Sequence, residues 1–149
     1  MAILEVSNEY GYVLLVAGFS SLVNQWHGMQ TVKARKASGI GYPNTYATAE
    51  QAEKDPAAYQ LNCAQRAHAN FTENLAPFLT NLLIAGLRLP VPAAVAGAAW
   101  LVSRVVYTKG YVSNQGPKGR TTGAIGHYLS MISLLGMSGY TAYQMIKGN

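Results

Sequence analysis

Long stretches without a charged residue are the first level of organisation visible in this chain. No Asp, Glu, Lys or Arg lies between Glu9 and Lys33, or between Arg120 and Lys147. Each gap can hold the ~20 residues that a helix needs to cross a ~30 Å hydrocarbon core. The pattern therefore predicts one membrane-spanning helix in each gap.

Two shorter uncharged stretches, residues 74–87 and 89–103, lie between these long ones. Neither crosses a bilayer alone. Each becomes long enough when it takes in charged residues from its polar flank, Arg66 and Glu73 for the first and Arg104 for the second. We therefore predict an all-α membrane protein, a single domain (1–149) built as a four transmembrane helix bundle, with spans over residues 9–33, 63–88, 91–114 and 122–146.

The segments between the predicted spans differ in length. Residues 38–58 contain Gly39, Gly41, Pro43 and Pro56 with mixed charges, and are predicted to form one long loop. Residues 88–92, with two prolines, predict a tight hairpin between spans two and three. The first span is interpreted as retained rather than as a cleaved signal peptide, because acidic residues precede it and its apolar run is too long.

Composition supports a membrane protein. Only 11% of the 149 residues are charged, against about 25% in ordinary soluble domains. Half of the residues are hydrophobic, which excludes disorder. The single cysteine excludes a disulfide framework and a zinc site built on cysteines.

The net charge of +5 is distributed unevenly along the chain. The loops after spans one and three carry seven basic residues, whereas the opposite side carries only Arg88 and Lys147. By the positive-inside rule, the basic loops face the cytosol and both termini face the other side. Because no basic stripe lies on a soluble face, we expect no nucleic-acid partner. The seven residues are Lys33, Arg35, Lys36, Lys54, Lys109, Lys118 and Arg120.

Polar residues recur at membrane depth in span two. Arg66, Asn70 and Glu73 stand at i, i+4 and i+7, so a helix places them on one face. A charge inside a span costs several kcal/mol unless it is paired or faces a wet cavity. The face is therefore either a ligand site or a structural network that bridges helices and binds nothing.

Span three also carries polar residues on one helix face. Arg104, Tyr107 and Tyr111 stand at i, i+3 and i+7, and two phenols with a guanidinium can grip an anionic or thiol-bearing ligand. The alternative for the two tyrosines is an interfacial aromatic belt. His27 and His127 have no second ligand at metal-binding spacing, so structural or interfacial roles are predicted and no metal is expected.

Cations gather at one predicted membrane face. Lys33-Ala-Arg-Lys36 ends span one, and taken alone it caps a helix and fixes topology. Together with Arg66 and Lys118 it forms a basic cluster. Glu73, the one acid in the interior of a predicted span, lies deeper in the membrane than this cluster. A matching ligand is anionic and carries one cationic group. Cys63 is interpreted as a buried, inert thiol.

These stretches closely resemble the MAPEG family, the membrane-associated proteins in eicosanoid and glutathione metabolism, and within it the branch of type-three microsomal glutathione S-transferases. The resemblance covers nearly the whole chain. Its most specific part is the pattern Arg-x-x-x-Asn-x-x-Glu at residues 66–73, followed by Arg-x-x-Tyr-x-x-x-Tyr at residues 104–111. Residues 8–15, Lys33-Ala-Arg-Lys36 and Tyr42-Pro43 extend the match.

The resemblance implies a homotrimer that binds glutathione between neighbouring protomers, near the cytosolic ends of the helices. Glutathione has two carboxylates for cations and one ammonium for Glu73, which agrees with the charges above. The residues that the resemblance assigns to glutathione are Arg35, Lys36, Arg66, His68, Asn70, Glu73, Tyr107 and Tyr111.

The resemblance is incomplete at the group that activates the thiol. The family's residue is usually an Arg just past the second tyrosine motif, and that position here is Lys118, with Arg120 two residues further on. Lysine lacks the forked donors of arginine. The offset favours Lys118 as the catalytic cation, with Arg120 as the alternative. Asn74 also departs from the pattern, because leukotriene-forming members carry a Tyr there.

The implied function is an integral-membrane glutathione transferase or peroxidase that activates the glutathione thiolate. Its second substrate is a lipophilic electrophile or a lipid hydroperoxide entering from membrane lipid, and leukotriene C4 synthase-type activity is included. Glutathione serves as co-substrate without a metal. The expected location is the endoplasmic reticulum membrane as a multi-pass protein, or the outer mitochondrial membrane. The alternative function is a non-catalytic, lipid-presenting membrane protein of the same fold.

Overall fold

The computed structural model describes residues 6–148, and these fold into four long helices joined by short helical segments. Each long helix corresponds to one predicted span. The helices are α1 (Tyr10–Ser38), α2 (Ala49–Lys54), α3 (Pro56–Gly86), α4 (Pro90–Tyr111) and α5 (Thr121–Ile146), with a 3₁₀ helix at Gly116–Arg120.

The prediction of one long loop over residues 38–58 is wrong in its second half. Thr48 begins α2 with a capping box, in which its side chain accepts from the Gln51 N–H and the Gln51 side chain accepts from the Thr48 N–H. The Asp55 side chain then accepts from the Ala57 N–H at 2.8 Å, and Pro56 occupies the first position of α3. Span two therefore belongs to a helix that begins seven residues before the predicted start at residue 63.

Other boundaries differ by less. α1 continues past residue 33 to Ser38 and ends where Gly39 adopts a left-handed conformation with φ 66°. α4 ends at Tyr111 rather than at residue 114, and α5 begins at Thr121. The tight connection between α3 and α4 is confirmed, because α4 begins at Pro90.

α3 and α4 form the centre of the bundle. Each packs against the other and against both α1 and α5, whereas α1 and α5 do not touch within residues 6–148. Stacked rings fill the middle, with Phe78 and Trp100 parallel at 3.9 Å between centroids. Phe71 lies 5.6 Å from Trp100 on its other side and stacks on His27 at 4.5 Å. This ring column ties α1, α3 and α4 together.

The long helices differ in how well their length and apolar composition suit a membrane span. By length and composition, one helix in the described part of the chain, Pro90–Tyr111, is long and apolar enough to cross a bilayer. The remaining three spans stay predictions. The outer surfaces of α1 and α5 nevertheless expose large apolar side chains such as Leu15, Phe19, Leu129 and Ile132, a pattern typical of contact with lipid or another protein.

Candidate functional site

An exposed ion pair marks the polar face of α3. The Nη1 of Arg66 donates to Oε1 of Glu73 at 2.8 Å, across two helical turns. The side chains remain 48% and 53% exposed, so both charged groups are accessible from outside the bundle. The predicted face is present, and its two charges neutralise each other on the protomer surface.

Asn70 connects this face to the interior. Its Oδ1 accepts a hydrogen bond of 2.9 Å from Nη2 of Arg104, which is fully buried. The Arg104 guanidinium lies 4.3 Å from the ring centroid of Tyr107 and 5.9 Å from that of Trp100. Arg104 therefore joins α3 to α4 from inside the bundle, and it does not face outward as a group that grips ligand.

Tyr107 and Tyr111 lie side by side on α4, with ring centroids 5.7 Å apart. They pack against Cys63 and Ala67 of α3 and are only 5% and 7% exposed. Tyr12, Tyr140 and Tyr143, for which the sequence favours the aromatic belt, are different, since they are 58%, 49% and 53% exposed. The burial of Tyr107 and Tyr111 argues against the aromatic-belt alternative for these two residues.

Arg120 completes this group from the far end of α4. Its guanidinium lies 5.6 Å from the ring centroid of Tyr111 and also faces the Tyr107 hydroxyl. Lys118 is exposed, and its side chain makes no hydrogen bond, ion pair or ring contact with the described residues. The sequence offset favours Lys118, whereas in the structure it is Arg120 that lies beside the two tyrosines.

The segment that carries these two cations is ordered and not the flexible loop that its Gly and Pro content suggests. It forms the 3₁₀ helix Gly116–Arg120. Gly116 has φ +57°, and a Cβ there would meet the Tyr59 hydroxyl at 2.7 Å. Close packing against Tyr59 of α3 therefore fixes the start of the turn, which positions Arg120 over Tyr111.

Sequence reasoning missed a close contact between α4 and α5. A Cβ on Gly123 would overlap the backbone of Tyr107, so the two helix backbones touch at this point. Small residues at a helix crossing are a known signal for such packing in membranes. Gly123 thereby sets the position of Tyr107 without contacting a ligand itself.

Arg35 and Lys36 do not join this group within the protomer. Arg35 is buried and donates to three carbonyl oxygens of the following loop, those of Ile40 (3.3 Å), Asn44 (2.6 Å) and Thr45 (3.0 Å). Its guanidinium also lies 4.6 Å from the Tyr42 ring centroid. Arg35 thus holds the loop, whereas Lys36 is exposed at the end of α1.

The histidines lie inside the bundle. His68 is half-buried and turns toward α1, with its ring 6.1 Å from that of His27. His27 is fully buried, and its Nδ1 lies 3.2 Å from the Thr108 hydroxyl. His127 Nδ1 accepts from Trp100 Nε1 at 2.9 Å. The contacts of His27 and His127 agree with the predicted structural roles.

The candidate site therefore has three parts. They are an exposed acid and an exposed cation on α3, the Asn70 amide held by its hydrogen bond from Arg104, and two tyrosine phenols beside the Arg120 guanidinium. Acid, cation and amide suit a small zwitterionic ligand, and a cation beside phenols suits an anionic sulfur or oxygen. These groups lie on a bundle of long helices with apolar outer faces, an arrangement typical of a helical membrane protein with a candidate polar site.

Comparison with known families agrees with that class. The family model of the MAPEG family matches residues 13–140. The chain belongs to the MAPEG family, whose members are membrane proteins and include glutathione transferases, glutathione peroxidases and leukotriene C4 synthase.

Proposed function

We propose that this protein is an integral-membrane glutathione transferase with peroxidase capacity, of the type-three microsomal branch. The observation that carries the proposal is the exposed Arg66–Glu73 pair beside the half-buried Asn70, which is bonded to the buried Arg104 next to Tyr107. An exposed ion pair contributes about 0–1 kcal/mol to folding, so its charges are available to a ligand at little cost in stability.

Glutathione matches these groups one by one. Its ammonium pairs with Glu73, and one of its carboxylates pairs with Arg66, so the ligand replaces the ion pair by two new ones. The two N–H donors of the Asn70 amide make no hydrogen bond with residues 6–148 and stay available to the ligand, because Arg104 bonds the amide oxygen. Charge-assisted bonds of this kind are about twice as strong as neutral ones.

Arg120 is the proposed thiol activator. A free thiol titrates near 8.5, so only a few per cent is ionised at pH 7. A guanidinium above Tyr111 and facing Tyr107 favours the thiolate by direct charge attraction, and the phenols add hydrogen-bond donors. With an apolar electrophile from the bilayer, the thiolate forms a C–S bond as the leaving group departs or an activated double bond takes up the electron pair. With a lipid hydroperoxide it attacks the terminal oxygen, the O–O bond breaks, and the lipid alkoxide leaves and takes up a proton. A second glutathione then converts the resulting sulfenic acid to the disulfide and water.

A homotrimer in the endoplasmic reticulum membrane is part of the proposal. A neighbouring protomer would cover the exposed α3 face and exclude water from the site. Lys36, exposed at the end of α1, is available to such a shared site, whereas the donors of Arg35 are occupied by its own loop.

The test uses the purified protein in detergent. Titration calorimetry measures glutathione binding, and ultraviolet difference absorbance measures the thiolate at pH 7. We expect binding together with a thiolate signal and turnover of a model electrophile. Absence of glutathione binding would refute the proposal and leave the non-catalytic, lipid-presenting alternative. Binding without a thiolate signal or turnover would refute the catalytic part.

A further inference from the structure

A second face of α1, away from the glutathione site, lines an open groove against α4. The residues on this face follow a heptad-like spacing through Phe19, Val23, Trp26, Gln30 and Lys33. Such spacing normally gives a closed seam between two helices. Here cavities remain along it, so the seam is only partly filled.

The part of the groove at membrane depth is apolar throughout. A cavity of about 340 Å³ lies between Leu15, Phe19 and Val23 of α1 and residues of α4 that include Ala98 and Val105. It continues into a second cavity of about 310 Å³, which shares Phe19, Val23 and Val105. Phe19 and Leu15 are 51% and 58% exposed, so the groove opens sideways from the protomer.

The other end of the groove is basic. The second cavity ends at Trp26 and Lys109. Further along α1, a third cavity of about 250 Å³ is lined by Gln30, Lys33 and Gln60 among others. No carboxylate lines any of the three cavities. The groove thus changes from hydrocarbon-like to cationic along its length.

Its dimensions fit one lipid chain of one leaflet. From Leu15 to Trp26 there are eleven residue steps, or about 16 Å along a helix. That equals about half of the ~30 Å hydrocarbon core. Tryptophan favours the membrane interface, and lysines at that level attract anionic headgroups.

We propose that this groove binds an anionic phospholipid, with one acyl chain along Leu15–Val23 and its net negative headgroup near Lys109 and Lys33. The apolar part of the groove lies between α1 and α4, and only its basic end reaches α3, at Gln60 and Ala64, whereas Tyr107 and Tyr111 pack against Cys63 and Ala67. Lipid binding here is therefore separate from glutathione binding and is independent of the proposed function.

The first experiment tests the apolar part of the groove. The full-length protein is placed in nanodiscs with phosphatidylserine that carries a photoactivatable diazirine in one acyl chain, and the cross-linked peptides are mapped. We expect adducts on α1 and α4 around Phe19 and Val105. Ala98→Phe should lower their yield at least 5-fold, because Ala98 lines the groove.

Ala99→Phe is the matched control, because Ala99 is exposed on the same helix and does not line the groove. Ala98→Leu is a milder variant in case Ala98→Phe fails to fold, and size-exclusion chromatography checks both. Equal adduct yields in the Ala98 and Ala99 variants would overturn the proposal. So would protomer-to-protomer cross-linking from a photoreactive amino acid at position 98, because a second copy would then occupy the groove.

The second experiment tests the headgroup. Each lysine near an anionic surface is worth about 5-fold in affinity. Lys33→Gln with Lys109→Gln should therefore lower phosphatidylserine labelling about 25-fold, and labelling by a phosphatidylcholine probe should stay unchanged. Lys54→Gln, in an exposed pair on α2, serves as control. Equal loss with both probes, or no loss with either, would contradict the assigned headgroup.

Discussion

The two ion pairs of the described chain show how position decides what a charge pair does. Lys54 and Glu50 are 2.6 Å apart on the short helix α2, 73% and 75% exposed, and one turn apart. Arg66 and Glu73 are 2.8 Å apart on α3, two turns apart, beside the half-buried Asn70 amide and the buried Arg104 guanidinium. The first pair stabilises a surface turn, and the second adjoins a site.

Glu73→Gln tests whether the Arg66–Glu73 pair belongs to a ligand site, since it removes one charge and changes little else in the side chain. The amide keeps the helix but removes the partner of the ligand's ammonium, which costs roughly 2–4 kcal/mol in a partly dry site. We expect glutathione affinity to fall about 30-fold or more by calorimetry, with the oligomer retained on size exclusion. Glu50→Gln should leave affinity unchanged. Loss of the oligomer with Glu73→Gln would instead support a structural network.

The choice between the two cations of the 3₁₀ turn is a second test at the residue scale. Arg120→Ala should lower the thiolate signal at pH 7 and reduce turnover ~10–100-fold, the size expected for one positioned charge. Lys118→Ala should change either by less than about 2-fold, because its exposed side chain contacts neither tyrosine. The opposite result would restore the assignment made from sequence spacing.

At the scale of elements, the four long helices were predictable because charge gaps and helical length are both local properties. The start of α3 also has a sequence signal, because Asp55 is a typical N-cap and Pro56 a typical first helical residue. The charged residues around them nevertheless suggested a loop. The fixed turn at Gly116 could not be predicted, because its order depends on contact with Tyr59, which is 57 positions earlier in the chain.

The sequence predicts which residues make up the candidate site better than it predicts which way their side chains point. Helical spacing places Arg66, Asn70 and Glu73 on one face, and the structure agrees. Spacing also aligns Arg104 with Tyr107, but it does not tell whether the guanidinium points outward or inward. That depends on Asn70 across the helix interface, which is a tertiary contact.

The close crossing of α4 and α5 requires a glycine at position 123, and this requirement can be tested. Gly123→Ala adds a methyl group that would overlap the Tyr107 backbone, so the helices must separate. Overpacking of this kind costs about 1–3 kcal/mol. We expect a lower Tm and weaker glutathione binding, because Tyr107 shifts. Gly136→Ala on the same helix meets nothing within 4 Å and should leave both quantities unchanged.

At the scale of the whole molecule, the distribution of basic residues predicts orientation. Seven Lys and Arg lie on the side of the α1–α3 and α4–α5 connections, against two on the other. A protease added to sealed microsomes should cut between residues 39 and 48, before α2. Protection of this segment together with cleavage near the termini would reverse the orientation.

The Arg66–Glu73 pair also bears on how the protein is made. A lone Arg or Glu entering the bilayer from the translocon costs about 2.5–3.5 kcal/mol at the centre of a helix, whereas two neighbouring opposite charges enter as a neutral dipole. We therefore expect α3 to enter the membrane with these two charges already neutralised, before the proposed association with a second protomer or with glutathione. Glu73→Leu should therefore reduce insertion of α3 in a glycosylation-tag assay despite its greater hydrophobicity, and Arg66→Leu with Glu73→Leu should restore it. The residues that hold the ligand in the mature protein would then be a condition of its biogenesis.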